Sequence, residues 1–351
     1  MDNIKTSPQT SRAARIFKNI LFIIGLGIIL VMITSFGDNL PSLKAALSRS
    51  IYVIPLILLI WICIYLLNTW AWQVIIKGSG PCNVRFSRLF KWTLSGFALN
   101  SLTPIDWLGG EPYKVVELSP HIGSQRATSS VILFTMTHIY GHFWFWLTGI
   151  VVFLILAMFD AVTLTGQMLG VLILAMVLCL GAIYLFLRGY RKGFILKIVH
   201  LLNRVWLIGR WSRRMEERHQ DTLTKVDTQI RQLHEQSRRA FYGSFFLEYG
   251  AHVLQSLEVF TLLVMLGLPT HGGIDGYLLL WLHSFLILSF TSLFADILGF
   301  VPMQMGTREG GYVLGALQMG FEASQGVFVS LICRARELLW DVVGLILIKI
   351  K

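Results

Sequence analysis

Two stretches of this chain combine residues that break helices with residues that carry charge. The first reads Asn100-Ser-Leu-Thr-Pro104-Ile-Asp106-Trp-Leu-Gly109-Gly110-Glu111-Pro-Tyr113-Lys114, and the second Phe300-Val-Pro302-Met-Gln304-Met-Gly306-Thr-Arg308-Glu309-Gly310-Gly311-Tyr312. In each, a proline is followed seven residues later by a glutamate, with glycines between or just after, and the copies lie about 200 residues apart. Glu111 near Lys114, and Glu309 beside Arg308, set a carboxylate next to a cation. That chemistry suits a ligand bearing both an anionic phosphate and a cationic group, or a coupling proton. Arginine is the natural phosphate reader because its guanidinium offers a bidentate fork. Asn100, Lys114, Arg308 and Arg334 are therefore the candidates for a phosphate or lipid headgroup, and Glu111 and Glu309 for a cationic group or a proton.

Further charges fall in apolar surroundings, where each costs roughly 2.5–3.5 kcal/mol at a helix centre and is a functional candidate by default. At about 100 degrees per residue, Arg334, Glu337 and Asp341 share one face within about 60 degrees, while Arg336 points elsewhere. An internally neutralised stripe and a substrate-binding stripe are equally open readings. Glu258 and Asp296 are further acids able to carry protons, whereas Glu248 is expected at the membrane interface. His138 and His142, spaced i, i+4, share a face as zinc ligands can, but the glutamate of HExxH is absent. They read as hydrogen-bonded polar residues, with no metal and no cofactor expected; His252 and His283 stand alone. No G-x-x-x-x-G-K-[ST], G-x-S-x-G or kinase signature occurs, so neither a nucleotide-driven pump nor a serine hydrolase is indicated.

These residues need elements that hold them at membrane depth. The 351 residues are 55% apolar and only 14% charged, against roughly 45–50% and 25% for soluble domains. Uncharged or nearly uncharged runs able to cross about 30 Å of hydrocarbon occur at 17–36, 51–76, 131–157, 167–187, 241–268 and 327–348, the last carrying the Arg334 stripe. Two more, 89–120 and 277–320, are broken by Pro104, Gly109 and Gly110, and by Pro302, Gly306, Gly310 and Gly311. Proline ends a helix, and hydrocarbon cannot satisfy the freed backbone groups, so each break must line a wet or protein-buried cavity. Paired breaks of this kind point to internal repeats around a midplane site. The expectation is an all-α polytopic membrane protein of inverted repeats, with two re-entrant segments and about six full spans. If residues 277–301 cross fully instead, that parity is lost.

Charge orients the chain. Residues 188–240 hold 13 Lys and Arg against 5 acids, and the loops 158–166 and 269–276 hold none of either base. By the positive-inside rule the basic loops and the N-terminus are cytoplasmic, in a cytoplasmic (inner) membrane. The organisation is then a tail at 1–16, a first half at 17–187, a basic linker at 188–240 and a second half at 241–351. Phe194, Ile198, Leu201, Val205 and Ile208 recur at three and four, suiting a helix at the headgroup level of an anionic leaflet. The net charge of +11 is thus a membrane signal and not one for nucleic acid. The four cysteines are scattered and form neither a disulfide framework nor a CxxC motif.

The stretch Asn100-x3-Pro104-x4-Gly-Gly-Glu111-x2-Lys114-x3-Leu118-x4-Gly123, with Pro302-x3-Gly306-x2-Glu309-Gly-Gly, resembles the lysylphosphatidylglycerol synthase transmembrane family, also called flippase-like proteins. The likeness runs from about residue 50 to 348. It implies inverted repeats with re-entrant helices and, from the best-known members, translocation of aminoacylated phospholipid; others occur beside lipid-linked glycan or hopanoid pathways. Two departures stand out: Lys114 occupies a position where arginine is more usual, and histidines and aromatics surround His138 where charges are common. Members that synthesise the lipid carry a large C-terminal transferase domain, and this chain ends at Lys351, so a lipid translocase without synthase activity is expected. The alternatives are a non-catalytic partner of a lipid synthase or glycosyltransferase, and a membrane-embedded lipid-phosphate transferase using Glu111 or Glu309 as base.

Overall fold

The structure, a computed structural model, describes residues 48, 50–102, 109–192, 228, 238–268, 273–297, 304 and 306–349. Among them all regular structure is helical, in nine helices: α1 (Ile54–Gly78), α2 (Phe86–Ser101), α3 (Gly110–Ile122), α4 (Ser124–Met158), α5 (Gly166–Lys192), α6 (Arg238–Met265), α7 (Ile274–Ile297), α8 (Thr307–Gln318) and α9 (Ala323–Lys349). Pro104, Pro302, the expected first span at 17–36, the tail at 1–16 and most of the linker at 188–240 lie outside the described residues.

Local chemistry explains where several helices turn. Pro55 sits in the first turn of α1, where its fixed φ favours the helix and its missing N–H costs nothing. At the other end, Arg126 donates to the carbonyls of Ile76 and Pro81 and to Ser79 Oγ, at 3.1, 3.0 and 2.8 Å, satisfying groups that the last turn leaves over. Gly123 (φ 86°) and Gly320 (φ 79°) each follow a short helix and turn the chain into a long one, in a backbone region that favours glycine.

Length separates the helices into two kinds. α1, α4, α5 as far as Arg188, and α7 are long and apolar enough to cross a membrane. α6 and α9 have 28 and 27 residues, ample to cross, but carry Glu248 and Glu258, and Arg334, Arg336, Glu337 and Asp341. α2, α3 and α8, with 16, 13 and 12 residues, reach only roughly 18–24 Å at 1.5 Å per residue, short of the hydrocarbon thickness. The first broken segment is therefore a pair of short arms, as expected of a hairpin. The second pairs a short arm with the 24-residue α7, which is long enough to cross alone.

The two halves pack in matching fashion. α1 and α6 run antiparallel along each other: Trp61 bonds Glu258, Asn68 bonds Glu248, and Val74 meets Gly243. Each first hairpin arm then crosses the long helix that follows the other hairpin. α2 lies against α9 through Ser95 Oγ on the Gly344 carbonyl (2.9 Å) and Ser101 Oγ on Asp341 (2.9 Å). α7 lies against α4 through Trp146 Nε1 on Ser292 (2.9 Å), with Ser289 over Gly149. Equivalent helices α1 and α6 thus point in opposite directions, as an inverted repeat requires.

Glycines, with no side chain to intervene, set these approaches. A Cβ on Gly110 would stand 2.0 Å from the Gly96 carbonyl oxygen, and one on Gly344 would stand 2.5 Å from Ala98 Cβ and 2.9 Å from the Leu94 oxygen. Gly110→Ala and Gly344→Ala are each expected to destabilise the protein by about 1–3 kcal/mol, as overpacking does. Gly250→Ala, at a site in α6 with open space, should be neutral or stabilising by about 0.5–1 kcal/mol. Thermal unfolding of the three variants in detergent, followed by circular dichroism, gives the comparison; equal melting temperatures would refute the packing.

Candidate functional site

The two hairpins and α1, α4, α6 and α9 line a partly open cavity of about 200 Å³. It is smaller than the roughly 300–1,000 Å³ of a pocket for drug-sized ligands. The charged candidates named from the sequence line it, with Glu258 the exception, and their partners come from across the fold.

On the first hairpin, Asn100 Oδ1 accepts the Gly110 backbone N–H at 2.6 Å, and its Nδ2 donates to Glu111 Oε1 at 3.2 Å. One amide thus closes the break by meeting a donor at the start of α3, where the first N–H groups have no partner within the helix. Glu111 Oε1 also lies 3.4 Å from both Lys114 Nζ and Thr135 Oγ1. Its other oxygen, Oε2, is buried and has no hydrogen bond among the described residues. Lys114 is 1% exposed, with its ammonium 5.0 Å from the ring centres of both Phe97 and Phe134. Aromatic faces attract a desolvated cation, so Lys114 is held in place from three sides.

The second hairpin solves the same problem with different groups. Glu309 Oε2 accepts the Gly306 N–H at 2.7 Å, ahead of α8, while Oε1 accepts from Arg334 Nε and Nη2 at 3.0 and 2.7 Å. Arg334 Nη1 donates onward to Glu337 at 2.9 Å, and Arg308 Nη1 reaches the other oxygen of Glu337 at 2.7 Å. α8 is therefore clamped to α9 by a chain of four alternating charges. Arg308 has a side chain 34% exposed, against 5% for Arg334 and 1% for Lys114, so it is the cation of the three with most surface left open.

Asp341 accepts from Ser101 Oγ at 2.9 Å, and Asp296 from Gln304 Nε2 at 3.1 Å. The described lining residues include four cations and five carboxylates. The expected face of Arg334, Glu337 and Asp341 does line the cavity. Arg336 borders the cavity too but leaves α9 in another direction, toward α6. It pairs with Glu258 through two bonds of 2.9 Å, with its guanidinium 3.7 Å from the Trp61 ring centre. Glu258 is 1% exposed and is occupied by Arg336 and by Trp61 Nε1, so it stands behind the wall. Among the break glycines, Gly110 and Gly311 approach the opposing arm closely, whereas Gly306 has φ 80° and Gly310 open space.

A family model described as the lysylphosphatidylglycerol synthase TM region matches residues 21–343. The chain belongs to this family. No curated protein and no solved structure matches it. As a member of the lysylphosphatidylglycerol synthase transmembrane family it is a multi-pass membrane protein of a lipid-related family.

Two expectations change within this family member. Glu248, expected at an interface, is fully buried; it accepts from Asn68 Nδ2 at 3.1 Å and lies 2.6 Å from His138 Nδ1. The reason is that α1 and α4 both pack against that face of α6. His252, which stands alone in the sequence, comes from α6 to lie beside His138 and His142, their ring centres 5.3 and 4.2 Å away. Asn68 and Gln255 also line the cavity; their signal in the sequence is a polar residue within a long apolar helix.

The Glu258–Arg336 pair is a structural element with a measurable signature. Removing one partner of a buried pair leaves an uncompensated charge at about 3–5 kcal/mol, whereas replacing both by apolar residues of similar volume is often neutral. Glu258→Gln should therefore lower thermal stability far more than the double variant Glu258→Leu with Arg336→Met. Unfolding midpoints in detergent give the comparison, and an undiminished midpoint in the single variant would show that the pair does not hold α6 to α9.

Proposed function

We propose that this protein is a lipid translocase that carries a phospholipid or lipid-linked headgroup across the cytoplasmic membrane, with its N-terminus and basic linker on the cytoplasmic side. The observation that carries this reading is the partly open cavity between the two hairpins, lined by charges of both signs from both halves of the chain. Such a site at a repeat interface suits alternating access, in which one half rocks against the other around a bound headgroup. The bilayer holds the acyl chains throughout, so the protein has only to cover the headgroup.

The charges divide the work. Arg308, the more exposed cation, exchanges part of its bond to Glu337 for a phosphate oxygen. Glu111 Oε2, buried without a partner among the described residues, receives a cationic group or a proton. Arg334 and Glu309 keep the second hairpin closed, and Lys114 and Asn100 the first. The excess of carboxylates over cations in the lining favours a headgroup with a positive group beside its phosphate.

Headgroup translocation in proteoliposomes tests this directly, with lysylphosphatidylglycerol and phosphatidylglycerol as parallel substrates. Each charge-assisted hydrogen bond lost is worth about 1.5–3 kcal/mol, so Glu111→Gln, Arg308→Ala, Glu309→Gln and Arg334→Ala should each slow translocation by roughly 10- to 100-fold. Rates equal to wild type in both Glu309→Gln and Arg334→Ala would sink the site assignment. A change in lipid mass on incubation with an activated donor would favour a transferase instead.

A further inference from the structure

Three imidazoles converge on the cavity wall where α4 and α6 meet. His138 and His142 lie one turn apart on α4, and His252 comes from α6. One ring nitrogen from each lies within 4.8 Å of the others. The ring centres of His138 and His142 are 5.0 Å apart, and those of His142 and His252 are 4.2 Å apart.

The groups behind these rings dispose them as ligands. Glu248, fully buried and held by Asn68, takes a hydrogen bond at 2.6 Å from His138 Nδ1. That bond keeps the proton on Nδ1 and leaves Nε2 with its lone pair free to bind. A carboxylate behind a histidine is the usual support for a metal-bound imidazole, since it fixes the tautomer and raises the ligand's basicity. His252 Nε2 and His142 Nδ1 are both buried with no hydrogen bond among the described residues. Orphaned buried polar atoms cost about 1–3 kcal/mol each, and two at one point call for a shared partner. Asp296 Oδ2, from α7, lies 3.6 Å from His142 Nδ1.

We propose that His138, His142 and His252 bind one divalent transition metal ion of the zinc class, with the fourth position opening to the cavity beside Asp296. Imidazole donors select zinc, copper, nickel or cobalt over magnesium or calcium, which take oxygen ligands. Zinc–nitrogen bonds of about 2.0–2.1 Å set tetrahedral ligand atoms roughly 3.4 Å apart. One nitrogen of each ring already lies within 4.8 Å of the others, so the rings would have to turn inward by about an ångström to share one ion. The ion would join α4 of the first half to α6 of the second and add a cation to a wall rich in carboxylates.

The test uses the full chain in detergent, purified without a polyhistidine tag and stripped by a chelator. Co2+ titration is followed by visible absorption, and bound Zn2+ is counted by mass spectrometry after gel filtration. One equivalent with the intense absorption of tetrahedral Co2+ is expected. Affinity should fall by at least roughly tenfold in His252→Gln and His142→Gln, and by roughly 10- to 100-fold in Glu248→Gln. His283→Gln, whose ring lies against Phe321 and outside the cluster, should bind as wild type does. Absence of a tetrahedral Co2+ spectrum in wild type, or unchanged affinity in both cluster variants, would overturn the site. Should one histidine variant fail to fold, the other variant and the wild-type spectrum still decide between a site and none. Metal binding is read without any transport, so its failure is separate from failure of the translocase reading.

Discussion

A charge carried to membrane depth must find its counter-charge within the protein, because hydrocarbon supplies neither hydrogen bonds nor ions. Much of the arrangement follows from that constraint. Arg336 and Glu258 meet it by pairing through two bonds with Trp61 stacked on the cation. Arg334 meets it by spanning Glu309 and Glu337, and in doing so fastens the second hairpin to α9. Lys114 meets it with one carboxylate and two aromatic faces. The charges are thus fasteners first, and those that retain spare capacity are the ones available to a ligand.

The repeated proline–glutamate motif is used asymmetrically. Glu309 engages both oxygens, one on the Gly306 N–H and the other on Arg334. Glu111 gathers Asn100, Lys114 and Thr135 on one oxygen, and Asn100 takes over the task of meeting the Gly110 N–H. With asparagine in place of glutamate as the group that closes the break, Glu111 keeps Oε2 without a hydrogen bond among the described residues, at the cavity wall. The same asymmetry holds on the long helices: α9 offers Arg334, Glu337 and Asp341, whereas α4 offers His138 and His142 at about the corresponding place. Close helix crossings at Gly149 and Gly344 hold both versions in register.

Much of this was legible in the chain itself. The apolar runs determine a membrane protein, because segments of that length and composition have no other stable environment. The paired breaks mark where the helices are interrupted, and helical periodicity determines that Arg334, Glu337 and Asp341 share a face from which Arg336 is excluded. These are local properties, carried by spacing within one helix or one turn.

What only the tertiary structure decided is which of these groups meet. Glu258 joins Arg336 across 78 positions, Asn68 joins Glu248 across 180, and His252 joins the α4 histidines. Glu248 reads as interfacial from its own helix and becomes buried because α1 and α4 both lie against that face. Spacing within a helix fixes a side chain's direction, but not what stands opposite. That depends on close packing between helices distant in sequence, set here by glycines at the crossings and by the pairing of buried charges such as Arg336 with Glu258.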